Sequence, residues 1–96
     1  TTFDGFNAMN KVISEVSVAG NNVGRLGHGL GLQLTEPPSH RDEDKTVIKE
    51  NMVLTIEPGL EYAPGKMIVH EENIIINKDG AELITKRAPK EIPIIK

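Results

Sequence analysis

The sequence has 96 residues, enough for one domain with a modest hydrophobic core, and it contains no cysteine. Without cysteine there is no disulfide framework and no thiolate metal site, so any metal must be held by His, Asp and Glu. The formal net charge of −3, with no run of Lys and Arg, disfavours nucleic-acid binding. No apolar run approaches the roughly 20 residues of a membrane span, so we expect a cytoplasmic protein with no membrane partner.

The first predicted element is an amphipathic helix near the start of the chain. Apolar residues recur there at intervals of three and four, which is typical of a helix that packs on a larger surface. Either Thr1 or Thr2 can cap this helix, and the pattern ends at Gly20 and the two asparagines that follow it. The apolar positions are Phe3, Phe6, Met9, Ile13 and Val16.

Beyond the helix, the apolar period changes to two residues. His28 and three leucines fall on one face, with glycine and polar residues on the other, so we predict a strand from Gly27 to Thr35. The polar stretch from Glu36 to Lys49, with two prolines and a charged run from His40 to Lys45, predicts an exposed connection. The three leucines are Leu30, Leu32 and Leu34.

The second half of the chain has the pattern of a β-sheet. The apolar run from Met52 to Ile56 suits a strand that is buried on both faces. A further strand is predicted from Lys66 to Asn77, and Asp79-Gly80 then turns the chain into a hairpin partner at Glu82 to Thr85. The tail from Pro89 onward contains two prolines and is expected to be irregular.

Three ionisable residues stand where the apolar pattern predicts burial: His28, Glu57 and Glu71. An unpaired buried carboxylate costs several kcal/mol, so each needs a proton, a salt bridge, hydrogen bonds or a metal. Two carboxylates and an imidazole with few basic neighbours in sequence suit a shared cation. The residues alone also allow His28 to be a hydrogen-bonded structural histidine, and Glu57 to be a turn-capping or salt-bridged carboxylate.

Three collinear motifs stand along the chain: Gly27-His28-Gly29-Leu30-Gly31-Leu32, Thr55-Ile56-Glu57-Pro58-Gly59 and His70-Glu71-Glu72-Asn73. They resemble the closing motifs of the pita-bread hydrolases, which include methionine aminopeptidase, prolidase, Xaa-Pro aminopeptidase, creatinase and ectoine hydrolase. The match runs from about Phe3 to Thr85. The resemblance implies a partial pita-bread fold of class α+β, with one amphipathic helix on a curved, mainly antiparallel sheet. We expect residues 1–96 to be the C-terminal part of one catalytic domain whose upstream half is absent here.

The resemblance also implies a two-metal site held by two aspartates, one histidine and two glutamates. His28, Glu57 and Glu71 match the last three of these ligands, and the divalent ions would be Mn or Co, or else Zn. Glu57 and His28 are the expected catalytic residues, with Glu57 carrying a proton from the attacking water to the leaving amine. No residue of the sequence matches the two aspartates, so this chain by itself is expected to be inactive.

Two departures from the Xaa-Pro peptidases concern substrate positioning. Thr35 stands where those peptidases carry a second histidine, and Val69 stands where they carry an arginine. The candidate substrate-binding residues are therefore Thr35 and His70, with His40 as an alternative. A surface or packing role is left open for both histidines.

The expected function is hydrolysis of a peptide or amide bond, of the Xaa-Pro dipeptidase or aminopeptidase type, with a peptide or small amide as substrate. Two alternatives stay open at this point. One is a non-catalytic fragment or structural module that binds a metal weakly, and the other is a hydrolase of a cyclic amide that resembles ectoine hydrolase. Assembly into a homo-oligomer is also left open.

Overall fold

The computed structural model describes residues 1–17 and 24–95. This part of the chain contains one helix and seven strands, and all of its strand pairs are antiparallel, which confirms the α+β class. Five strands form one sheet in the order β2-β1-β3-β6-β7, and β4 and β5 form a second ladder. The elements are α1 (Thr2–Val16), β1 (His28–Gly29), β2 (Glu36–Ser39), β3 (Val53–Ile56), β4 (Gly59–Ala63), β5 (Lys66–Val69), β6 (Glu72–Asn77) and β7 (Gly80–Leu83).

The predicted helix is confirmed, and Thr1 is its N-cap. The Thr1 hydroxyl accepts a hydrogen bond from the Asp4 backbone, and the Asp4 carboxylate accepts one from the Thr1 backbone nitrogen at 2.8 Å, so the cap is reciprocal. Ile13 is buried where α1 packs on β4, whereas Val12 is exposed. The predicted end of the helix at Gly20 lies outside the described residues, and α1 ends at Val16. None of the described helices is long and apolar enough to cross a membrane.

The predicted strand from Gly27 to Thr35 is wrong in extent, because only His28–Gly29 is a regular strand. The chain reverses directly after it, and Gly29 already pairs with Glu36. Within the reversal the Gln33 backbone donates to the Glu36 carboxylate at 3.2 Å. Leu32 lies in this reversal and not in a strand, so its side chain is fully exposed.

The segment after this reversal is less exposed than its composition predicted. Residues Glu36–Ser39 form β2, which pairs with β1, and the prolines in it favour the extended backbone of an edge strand. The pairing continues past β2, because the His40 backbone donates to Gly27 and accepts from Leu26. His40 is thereby drawn into the core, with only 2% of its surface exposed.

The apolar run predicted as a central strand is confirmed as β3. It lies between β1 and β6, and both Leu54 and Thr55 are buried. The chain then folds back on itself in a long hairpin, in which Val53 is opposite Ile75 and Gly59 is opposite Val69. These two pairs belong to one continuous register, although the hairpin is divided into two ladders.

The single strand predicted from Lys66 to Asn77 is therefore two strands, β5 and β6, which belong to different ladders and are separated by His70 and Glu71. The predicted hairpin after β6 is confirmed, but its second strand begins earlier than expected, at Gly80. A φ of +144° at Gly80 suits the tight turn, since a side chain disfavours that backbone conformation. Residues 84–95 contain no regular element. The irregular tail predicted from Pro89 is therefore confirmed, whereas the hairpin strand ends at Leu83 and not at the predicted Thr85.

Candidate functional site

His28 is held in place by hydrogen bonds to β3 and to its own strand, β1. Its backbone N–H donates to the Thr55 hydroxyl at 2.9 Å, and its ring Nδ1 lies 2.8 Å from the Gly29 carbonyl oxygen. A carbonyl oxygen can only accept, so Nδ1 carries a proton. The ring is buried, with 6% of the residue exposed. Its remaining nitrogen, Nε2, is directed at the end of β3, where Glu57 lies.

Glu57 follows the last residue of β3, and its backbone N–H donates to the Leu26 carbonyl. This bond fixes the strand end beside His28, and the Glu57 Oε2 atom lies 3.3 Å from His28 Nε2. The carboxylate is mostly shielded, because about one fifth of the side chain is exposed (22%). The sheet thus brings together two of the three residues that the sequence singled out.

The contact between His28 Nε2 and the Glu57 carboxylate needs a proton or a cation. With the proton on Nδ1, the Nε2 lone pair of a neutral ring would face a carboxylate oxygen, and two acceptors repel. Either a proton lies between these two atoms, or the two atoms share a cation. Two donors that are each about 2.1 Å from one metal ion lie about 3.0–3.4 Å apart, so the observed spacing suits metal ligation. The chemistry and geometry of this pair fit part of a metal centre.

Glu71 is exposed, so the expectation that it is buried is wrong. Its neighbourhood at the end of β5 is open to solvent, since Val69 there is more than half exposed. Continuing the register from the Ile56–Glu72 pair places Glu71 directly opposite Glu57, where side chains share a face of the sheet. Within residues 1–17 and 24–95, however, no three His, Cys, Asp or Glu residues form a group that could hold a metal.

The two candidate substrate residues are not brought to His28. Thr35 is exposed in the reversal between β1 and β2. The His70 backbone donates to the Pro58 carbonyl, so His70 is opposite Pro58 and lies on the other sheet face from Glu57 and Glu71. On that face His70 lines an apolar groove of about 460 Å³ between α1 and the β4–β5 ladder.

The His70 ring is 3.1 Å from a Glu72 carboxylate oxygen at the edge of this groove. The pKa of Glu72 is lowered, first by a hydrogen bond from the Ala88 backbone and then by the contact with His70. His70 therefore has Glu72 as its partner, on the sheet face where α1 packs and not on the face of Glu57.

Two polar residues of the motifs, Thr55 and Asn73, were not recognised as candidates from the sequence. Thr55 is 1% exposed and accepts the His28 backbone N–H, and Asn73 has a buried Oδ1 atom with no hydrogen-bond partner among the described residues. The available signal was a hydroxyl or amide side chain inside an apolar strand, which requires a polar partner.

The chain is similar in sequence to proline-specific dipeptidases. It is 40% identical over 77 residues to the Xaa-Pro dipeptidase of Pyrococcus furiosus, which is 79% of this chain and 22% of that protein. It is 34% identical over 86 residues to the Xaa-Pro dipeptidase of Lactobacillus delbrueckii subsp. lactis, which is 88% of this chain and 23% of that protein. The chain spans less than a quarter of the length of these relatives.

The fold is similar to that of solved dipeptidases. The Xaa-Pro dipeptidase from Bacillus anthracis matches with a TM-score of 0.86 and 33% identity, covering 99% of this chain and 26% of that one. The prolidase from Pyrococcus horikoshii OT3 matches with a TM-score of 0.84 and 33% identity, covering 96% and 26%. These likenesses confirm the expected partial pita-bread fold.

The match to a family model agrees with the fold. Residues 1–78 match metallopeptidase family M24, and this range contains His28, Glu57 and Glu71 together with the motifs around them. The match covers most of the chain, and the chain therefore belongs to metallopeptidase family M24.

Proposed function

We propose that this chain is part of a metal-dependent peptidase that hydrolyses Xaa-Pro dipeptides, in which His28, Glu57 and Glu71 are metal ligands. The observation that carries the proposal is the 3.3 Å approach of His28 Nε2 to the Glu57 carboxylate, which needs a cation or a proton. The family, and the dipeptidase activity for which the relatives are named, support peptide hydrolysis. The described residues hold too few ligands for a complete site, so the proposal concerns the whole protein.

The divalent ion, Mn or Co or else Zn, would supply Lewis-acid activation of the attacking water and of the scissile carbonyl. His28 offers Nε2 as a neutral donor, because its other nitrogen is engaged with the Gly29 carbonyl. Glu57 accepts the proton that the water loses and passes it to the leaving amine. Glu71, opposite Glu57 in the register, provides a second carboxylate on the same face.

The preference for proline is the finer part of the proposal. It comes from the relatives, and Thr35 and Val69 depart from the residues that the resemblance associates with substrate positioning. A preference for aminopeptidase substrates or for a cyclic amide would leave the roles of His28 and Glu57 unchanged. The cytoplasmic location and a homo-oligomeric assembly remain predictions.

The test uses the protein expressed from its complete gene, stripped of metal and titrated with Mn²⁺, with Xaa-Pro dipeptides, longer peptides and a cyclic amide as substrates. Glu57→Gln and Glu71→Ala are each expected to lower metal-dependent hydrolysis by about 100-fold or more, since even outer-shell partners contribute 10–100-fold. Glu50→Gln, at an exposed glutamate, is the matched control and is expected to retain activity.

Full activity in Glu71→Ala would show that Glu71 is not a ligand. Absence of hydrolysis in the wild-type protein with every metal and substrate would support the alternative of a non-catalytic module. Turnover of the cyclic amide alone would support a function of the ectoine-hydrolase type.

A further inference from the structure

A row of three side chains crosses the centre of the sheet: His28, Thr55 and Asn73. His28 is itself a candidate metal ligand, and the other two lie beside the candidate ligands Glu57 and Glu71. The pairing of Gly29 with Leu54 places His28 opposite Thr55, and Thr55 is itself paired with Asn73. Residues directly opposite in an antiparallel pair share a face, and residues two positions apart along a strand share it as well. The row therefore lies on the same face as Glu57 and Glu71.

Thr55 and Asn73 have complementary unused hydrogen-bonding capacity. The Thr55 hydroxyl accepts from His28, and no acceptor for its own proton is found among the described residues. The buried Oδ1 of Asn73 likewise has no donor within residues 1–17 and 24–95. The Cβ atoms of directly opposite residues are about 4.5–5.5 Å apart, so rotation of one side chain is enough to join the hydroxyl to the amide oxygen.

We propose that Thr55 and Asn73 act together as positioning residues for the metal ligands. When the ligands close on a cation, the Thr55 hydroxyl donates to Asn73 Oδ1, which turns the Asn73 Nδ2 donors toward the carboxylates of Glu57 and Glu71. These carboxylates only accept, so an amide N–H is a suitable partner for the oxygen that the metal leaves free. The inference rests on the proposed function, because it assigns how that metal site is held.

The row links the ligand residues from both sides. Thr55 fixes the backbone of His28 at one end, and Asn73 is two residues from Glu71 at the other. Ladder hydrogen bonds already position the backbones of the ligand residues, and side-chain contacts across the strands orient the ligand atoms themselves.

The test measures Mn²⁺ affinity by calorimetry on the metal-free protein from its complete gene, together with its melting temperature without metal. Thr55→Val removes the hydroxyl at nearly constant volume, and Asn73→Leu removes the amide. Each is expected to weaken Mn²⁺ binding by about 10–100-fold. Thr55→Ser, which keeps the hydroxyl, is expected to bind Mn²⁺ within about threefold of wild type.

The double variant Thr55→Val with Asn73→Leu separates a joint role from two independent ones. If the residues act together, the double variant is expected to bind Mn²⁺ as tightly as the single variant that binds it less well. If they act independently, the fold-losses of the two single variants multiply. Additive losses, or equal losses in Thr55→Ser and Thr55→Val, would overturn the inference. If Thr55→Val does not fold, wild-type Mn²⁺ affinity in Asn73→Leu still overturns the inference, and this variant is expected to fold because Asn73 is only half-buried.

Glu57→Gln distinguishes the failure of this inference from the failure of the proposed function. Undiminished Mn²⁺ affinity in Glu57→Gln would contradict the metal site itself. Loss of affinity in Glu57→Gln with wild-type affinity in Thr55→Val and Asn73→Leu would leave the site intact and remove only the positioning role.

Discussion

His28 and His40 are both buried, and only their hydrogen-bond partners show that they have different roles. In both rings Nδ1 lies near a backbone carbonyl, that of Gly29 for His28 and that of Thr2 for His40. Nε2 of His28 meets a carboxylate, whereas Nε2 of His40 is buried with no partner among the described residues. The interpretation of His40 as a packing residue is supported by its position against α1, where a side chain at Gly5 would overlap the ring.

The stability of the protein is expected to depend on pH through His40. Burial lowers the pKa of His40 below 6.5, with a smaller opposing effect from its hydrogen bond to Thr2 and from the charge of Asp44. As the pH falls below 6.5, His40 takes up a proton in the unfolded chain before it does so in the folded protein. The stabilisation that the buried neutral ring contributes is therefore complete above pH 6.5 and is lost as the pH falls.

The measurement is the melting temperature from pH 8 to pH 5 for the wild-type protein and for His40→Asn, which retains a side-chain N–H but does not titrate. The melting temperature of the wild type is expected to fall more steeply below pH 6.5. Parallel curves for the two proteins would show that His40 contributes nothing to this dependence.

At the scale of elements, the loop after β2 joins the sheet to the start of α1. The sequence suggested that Asp42, Glu43 and Asp44 are all solvated, but Asp44 accepts hydrogen bonds from the Ser39 and Thr46 backbones. The Thr2 hydroxyl donates to the backbone carbonyl of Asp44 at 2.8 Å and to its carboxylate at 3.2 Å. These bonds, first of all that from Ser39, lower the pKa of Asp44 far below its usual value.

Asp44→Ala is expected to lower the free energy of unfolding by about 1–3 kcal/mol, because several polar groups lose their partner at once. Asp42→Ala, at an exposed position of the same loop, is expected to stay within about 0.5 kcal/mol of wild type. Urea denaturation of both variants provides the comparison. Equal stability of the two variants would show that Asp44 does not hold the loop to the helix.

At the scale of the whole molecule, the candidate site is assembled from two distant parts of the chain and depends on a third. β1 supplies His28, the end of β3 supplies Glu57, and the hairpin register places Glu71 opposite the latter. The approach of His28 to Glu57 is already present in the fold, so metal binding is expected to stabilise the folded state instead of creating it.

Metal removal gives the corresponding prediction for the protein expressed from its complete gene. Chelation is expected to lower its melting temperature, and Mn²⁺ at 100 times its Kd is expected to restore about 2.7 kcal/mol of stability. Differential scanning calorimetry with and without the metal measures this shift. Glu57→Gln is expected to show a much smaller shift, and an equal shift in that variant would place the metal elsewhere.

The sequence by itself determined the family and the α+β class through its three collinear motifs. It also determined the helix, the buried strand and the final hairpin, because these elements depend on local periodicity or turn chemistry. The choice between Thr1 and Thr2 as the helix cap was left to the structure. The exposure of Leu32, the burial of His40 and the division of the predicted strand at His70 were decided only by the tertiary structure. Which face of an element is covered depends on residues far away in the chain. For the same reason, the sequence identified His28 and Glu57 as candidates, whereas the fold alone revealed their contact and the polar row of Thr55 and Asn73 beside it.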